Sequence, residues 1–239
     1  MGTIDFTNIR NLPSGLFQKL SEWDDQFKSH KEINDLKKED DFLILMSKLD
    51  KFCRSNDIVG YHLTKAPKKD ILDSGLLCRS GEEIRKLFMK QYSEKFSNEQ
   101  LLKIGKKWIS YFDEEEACHR DNCIYFYFNL NEENDLIEIP FLNKYGGEQI
   151  YTPLSDIAGV EEILKGIGDP IVVKCSLKPD DINIDNELPF GMLLCSAYHQ
   201  SVNSAAIKLH WQGCQKKSVP PDRIKDVFSL TDIIRYRQL

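Results

Sequence analysis

Three short segments of this chain carry residue types that could act together on a glycosidic bond. Ile58-Val-Gly-Tyr-His-Leu-Thr-Lys65 ends an apolar run with His62 and Thr64, Cys123-Ile-Tyr-Phe-Tyr-Phe-Asn129 is a strongly aromatic alternation, and Tyr145-Gly-Gly-Glu148 opens onto Gln149-Ile-Tyr-Thr-Pro-Leu154. Cleavage at a ribose anomeric carbon passes through an oxocarbenium-like state, which a nearby carboxylate stabilises. The reaction also needs a flat aromatic surface for the departing ring and hydrogen-bonding groups that hold the sugar in place. Glutamate, tyrosine and histidine have these properties, and Glu148, Tyr125 and His62 are the candidates. Tyr127, on the same side of the alternation as Tyr125, is the reserve aromatic, and Glu138 is the fallback carboxylate.

The surrounding elements must position these groups. Residues 1–55 read as helix: Leu16, Leu20, Trp23 and Phe27, then Phe42, Leu45, Met46, Leu49 and Phe52, recur at three- and four-residue steps. Ser55-Asn-Asp57 is turn chemistry that stops the helix before a strand at 58–63. Pro67 is suited to begin a helix, and Gly75 to stop it. A helical block follows over 81–115, in which Ser97-Asn-Glu-Gln100 is a capping box. From 123 the pattern turns to strands, expected at 123–129, 148–154, 170–177 and 205–211, with a helix over 156–167 and a loop over 183–190. Val219-Pro-Pro-Asp222 begins a C-terminal helix or strand. The expectation is an α+β chain: a helical segment at 1–55, then a mostly antiparallel, strand-rich domain at 56–239.

The order of these segments resembles the His-Tyr-Glu arrangement of the ADP-ribosyltransferase superfamily. Tyr61-His-Leu-Thr64 is similar to the Tyr-His-x-Thr form of its DNA-targeting branch, and Ile71-Leu-Asp-Ser-Gly-Leu76 to the Ile-Leu-x-x-Gly-Leu helix end that follows it. Cys123-Ile-Tyr-Phe126 looks like the second motif, Gly-Ile-Tyr-Phe, with Cys123 in place of the glycine. Glu148 matches the carboxylate that begins a strand in the third, closer to the tyrosine than in the eukaryotic polymerase branch. The resemblance implies a split antiparallel β core that uses NAD as substrate and transfers ADP-ribose to a macromolecule, releasing nicotinamide. It implies that His62 and Thr64 hold the ribose, Tyr125 stacks on nicotinamide, and Glu148 stabilises the ribosyl cation and activates the acceptor. Gly146 stands where arginine-modifying toxins carry Glu or Gln, so arginine is a less favoured acceptor. The Tyr-His-x-Thr form favours nucleic acid over protein. A toxin or phage-defence effector, with an antitoxin as a possible partner, suits a chain of this size; NAD hydrolysis and a non-catalytic binding module are the alternatives. Arg79 is a candidate for the NAD diphosphate, since a guanidinium matches phosphate geometry.

Composition narrows the remaining classes. With 239 residues, 29% charged and 41% hydrophobic, the chain has the balance of a folded protein. A net charge of −6 gives no global basic field. No apolar run approaches the roughly 20 residues that span a bilayer, no leader pattern opens the sequence, and Phe6 breaks a myristoylation motif. Seven cysteines without paired spacing suit a reducing cytoplasm. A soluble cytoplasmic protein without membrane contact is expected. Cys118-His119 with Cys123 is half a zinc pattern lacking a second pair, so no metal is assigned. Gly166-Ile-Gly168 follows a helix and precedes a strand, the reverse of a dinucleotide loop, and no P-loop occurs. Cys195 and His199 show no order of partners for thiol chemistry.

Overall fold

The computed structural model describes residues 2–112, 121–130, 140–209 and 211–229. Its first elements are strand β1 (Thr3–Ile4) and helices α1 (Ser14–Ser21), α2 (Asp24–Ser29) and α3 (Asp40–Arg54). Strand β2 (Asp57–Ala66) leads into α4 (Lys68–Ser74), α5 (Gly81–Tyr92) and α6 (Asn98–Phe112). After β3 (Ile124–Tyr127) come the short helices α7 (Pro140–Asn143), α8 (Glu148–Tyr151) and α9 (Val160–Lys165), then β4 (Asp169–Leu177). β5 (Ile182–Asn183), α10 (Pro189–Val202), β6 (Gln212–Gln215) and β7 (Ile224–Ser229) complete the described chain. It is a mixed α+β protein with an open, mostly antiparallel sheet of seven strands among the described residues. None of its described helices is long and apolar enough to cross a membrane.

Contacts divide the chain into two units. The first comprises residues 1–61, 125–131 and 176–215. Its strands run in the order β5-β6-β3-β2, with β1 parallel to β2. α3 forms because Phe42, Leu45, Met46, Leu49 and Cys53 bury one stripe, while Asp40 and Asp41 open its first turn and Lys51 and Arg54 close its last. α10 packs on α2 and α3, and Phe27, Phe42 and Tyr198 form its aromatic seam. Residues 205–209, expected as a strand, carry none; the strand is β6, starting at Gln212. Pro189 begins α10 where the loop was expected to be ending.

The second unit comprises 62–124, 132–175 and 216–239. Here β2, β4 and β7 are successive neighbours, and β4 and β7 pair antiparallel from Ile171–Ser229 to Cys175–Ile224. Phe88, Ile104, Trp108, Ile150, Leu154 and Leu164 are central to its core. The Ser97 box closes in both directions: the Ser97 amide donates to Gln100 Oε1 at 2.9 Å, and the Gln100 amide to Ser97 Oγ at 3.2 Å. A second box, Ser80 with Glu83, starts α5.

Candidate functional site

Strand β2 alternates from Tyr61 onward. Tyr61, Leu63 and Lys65 are buried, while His62 and Thr64 share the half-buried face. Tyr61 belongs to the first unit, opposite Tyr127, where its hydroxyl donates to Asp5 Oδ2 at 3.0 Å. It is a structural residue. His62 and Thr64 belong to the second unit.

Beyond Pro67, α4 stops at Gly75, whose φ of 73° and ψ of −163° lie in a region open to glycine alone. A Cβ there would lie 2.0 Å from the Val219 carbonyl oxygen. Leu76 and Val219 exchange backbone hydrogen bonds at 2.9 and 2.8 Å, so the Ile71-to-Leu76 motif ends in a clamped turn. Arg79 follows, half-buried, its carbonyl accepting from the Asn122 amide at 3.1 Å.

The Glu148 segment departs from expectation. Residues 148–154 were expected as a strand; they form α8 and a following 3-10 turn, Thr152–Leu154. The Ile150 and Tyr151 amides both close on the Gly147 carbonyl, at 3.0 and 3.1 Å. Ile150 and Leu154, four apart, then enter the core together. Glu148 is therefore the first residue of a short helix, half-buried, after an elbow in which Gly146 and Gly147 have φ of 89° and 62°.

Tyr145, in front of that elbow, is half-buried. Its ring stacks on Phe88 at 5.9 Å and meets Tyr92 edge-on at 5.0 Å. Burial, the hydrogen bond with Tyr92 and the charge of Asp70 push its hydroxyl well above the usual tyrosine range, while Arg79 pulls the other way. Arg79 also helps hold Glu83 low, after the two hydrogen bonds from Ser80. Thus the charges of Asp70 on α4 and of Arg79 both act on Tyr145, within one unit.

Tyr125 and Tyr127 lie in the first unit. Ile124, Phe126 and Phe128 are buried, whereas Tyr125 is 37% exposed and Tyr127 half-buried. The alternation is as expected, with the two tyrosines sharing a face. Glu138, Cys118 and His119 lie outside the described residues.

Sequence reasoning missed the network behind Glu148. Gln149, buried, accepts from Arg85 Nη1 at 2.7 Å and donates to Asp121 Oδ1 at 3.1 Å. The same Asp121 oxygen accepts the Gly81 amide at 2.9 Å. No motif announces a lone glutamine; only its place beside Glu148 singled it out. Elsewhere three buried thiols are kept protonated: burial pushes Cys53 and Cys195 far up and Cys175 to about 12. The lysines of α5 and α6 are in part paired with neighbours, Lys86 with Glu82, Lys103 with Glu99 and Lys107 with Asp156. No family model matches the chain, and no curated protein and no solved structure matches it.

Proposed function

We propose that the chain is an ADP-ribosyltransferase with the split β core of that superfamily, transferring ADP-ribose from NAD to a macromolecule. The convergence on Tyr145 supports this reading most strongly. Asp70, on the helix that follows His62 and Thr64, and Arg79 both act through their charge on Tyr145, which lies just before Glu148 in sequence.

In this scheme His62 and Thr64 hold the nicotinamide ribose and Arg79 pairs with the diphosphate. The resemblance assigns nicotinamide stacking to Tyr125, with Tyr127 in reserve. The bond between the ribose anomeric carbon and the nicotinamide nitrogen breaks, and nicotinamide leaves with the bonding pair. Glu148 stabilises the ribosyl cation, and an acceptor oxygen or nitrogen attacks that carbon while Glu148 takes its proton. Nucleic acid is the acceptor by a narrow margin over protein, the Tyr61-His-Leu-Thr64 form weighing for it and the net charge of −6 against it, and the role is that of a cytoplasmic toxin or phage-defence effector.

The test is incubation of the purified chain with adenylate-labelled NAD in a cell extract, followed by nuclease or protease treatment. Label that wild type transfers and Glu148→Ala does not, and that nuclease removes, is the expected result. Protease-sensitive label would change the acceptor, and nicotinamide release without transfer would make the chain a hydrolase. Intact NAD with no binding would overturn the enzyme reading.

A further inference from the structure

We infer that Gln149 is a positioning residue for Glu148, its side-chain amide fixing the backbone from which the carboxylate projects; this rests on the transferase reading above. Glu148 sits between two unlike neighbours. On one side the Gly146-Gly147 elbow has positive φ at both residues, and a Cβ built on Gly147 would meet nothing within 4 Å. At Gly147 the chain has open space beside it, while Gly146 packs against Ile150, to which a Cβ would come within 2.3 Å. On the other side the chain is held at two successive residues. Gln149 is gripped through both ends of its amide, and the Ile150 carbonyl accepts Trp108 Nε1 at 3.1 Å.

The grip on Gln149 selects an amide. One end must accept, because it meets the Arg85 guanidinium, and the other must donate, because it meets the Asp121 carboxylate. Arg85 is itself held over the Phe112 ring at 4.0 Å, and Asp121 is held by the first amide of α5. Space is reserved for the group as well: a Cβ on Gly81 would come 2.0 Å from Gln149 Oε1. Helices α5 and α6 and the turn before β3 therefore all converge on the residue next to the candidate carboxylate. A purely space-filling residue in this core would need none of that polar matching.

Gln149→Glu keeps the acceptor for Arg85 but sets like charges against Asp121. The double variant Gln149→Glu/Asp121→Asn removes the like-charge repulsion with total charge unchanged, but because one Asp121 oxygen meets both Gln149 and the Gly81 amide, one of those two hydrogen bonds is lost. The experiment measures nicotinamide release from NAD, in the presence of cell extract as acceptor source, as kcat and KM, with thermal midpoints, for wild type, Glu148→Gln, Gln149→Glu and the double variant. The single variant is expected to lose about 100-fold in kcat with KM within about threefold, as for a misaligned catalytic group. The double variant is expected to recover about tenfold of it, through relief of the charge repulsion alone. A Gln149→Glu protein with wild-type kcat overturns the positioning role while leaving the enzyme reading in place. So does a double variant that regains its thermal midpoint without regaining kcat, which would make the network structural. A wild type that leaves NAD intact overturns the enzyme reading and takes this inference with it.

Discussion

Asp50, buried in α3, caps a different helix: its Oδ1 accepts the Gly191 amide at 3.1 Å and the Phe190 amide at 2.9 Å, in the first turn of α10. The N-cap residue of α10 itself, Leu188, makes no side-chain cap. Arg54 Nε donates to the other carboxylate oxygen at 2.7 Å, which compensates the buried charge. Asp50→Ala strands both amides and is expected to cost about 2–3 kcal/mol, whereas Asp50→Asn keeps an acceptor and should cost about 1 kcal/mol. Urea unfolding measures both. Equal losses for the two variants would show that the capping bonds carry little of the stability.

That cap explains why α10 was illegible. α3, α5 and α6 each bury one side, so their apolar residues fall into a readable stripe. In α10 every residue from Pro189 to Ser196 is buried, as are Tyr198 and His199, so no face stands out. Its start signal lies 139 residues away in sequence, in Asp50. Residues 149–154 failed for another reason. Gln149-Ile-Tyr-Thr-Pro-Leu alternates like a strand, yet Ile150 and Leu154 are also spaced for a helix, and the Gly147 carbonyl decides between them by closing the first turn. The glycine stop at Gly75 was legible because it is a local pattern, whereas β2, expected to end at 63, runs on to Ala66 and leaves His62 and Thr64 inside the strand. Gln149 was not legible, because its partners, Arg85 and Asp121, come from distant sequence.

The glycines at 75 and 147 make a graded pair. Both combine positive φ with ψ near 180°: Gly75 at 73° and −163°, Gly147 at 62° and −169°. Alanine at either position carries backbone strain of about 1–3 kcal/mol. Only at Gly75 does the added methyl also run into backbone, at Val219. Gly75→Ala is therefore expected to lose clearly more stability than Gly147→Ala by thermal unfolding. A reversed order would show that the clamp between residues 76 and 219 yields easily.

Lys65 is 7% exposed. Burial lowers its pKa, and the charge of Asp169 only partly offsets this. Because the folded value lies below the unfolded one, the unfolded chain binds more protons in the window beneath the ordinary lysine pKa. Stability should therefore rise with pH through that window, and at neutral pH the buried charge is a cost. Lys65→Met removes the cost: a gain of about 1 kcal/mol, or about 2–4 °C in thermal midpoint, is expected, with the alkaline rise abolished. A lower midpoint for Lys65→Met would mean that the ammonium makes a net favourable interaction.

The alternation of β2 makes neighbouring residues answer differently. Leu63 is buried, so Leu63→Ala should cost about 2–5 kcal/mol through lost burial and the cavity left behind. His62 and Thr64 lie on the half-buried face, where truncation removes less packing. If that face holds the nicotinamide ribose, His62→Ala should depress kcat/KM for nicotinamide release by about 100-fold. Thr64→Val, which keeps the shape and deletes one hydroxyl, should depress it by about tenfold, near the value of a single hydrogen bond. Both should keep thermal midpoints within a few degrees of wild type. Measuring midpoint and kcat/KM for all three variants separates the faces. Were His62→Ala to unfold the chain as Leu63→Ala does while the surviving fraction kept full kcat/KM, the histidine would be a packing residue, and the strand would hold no substrate.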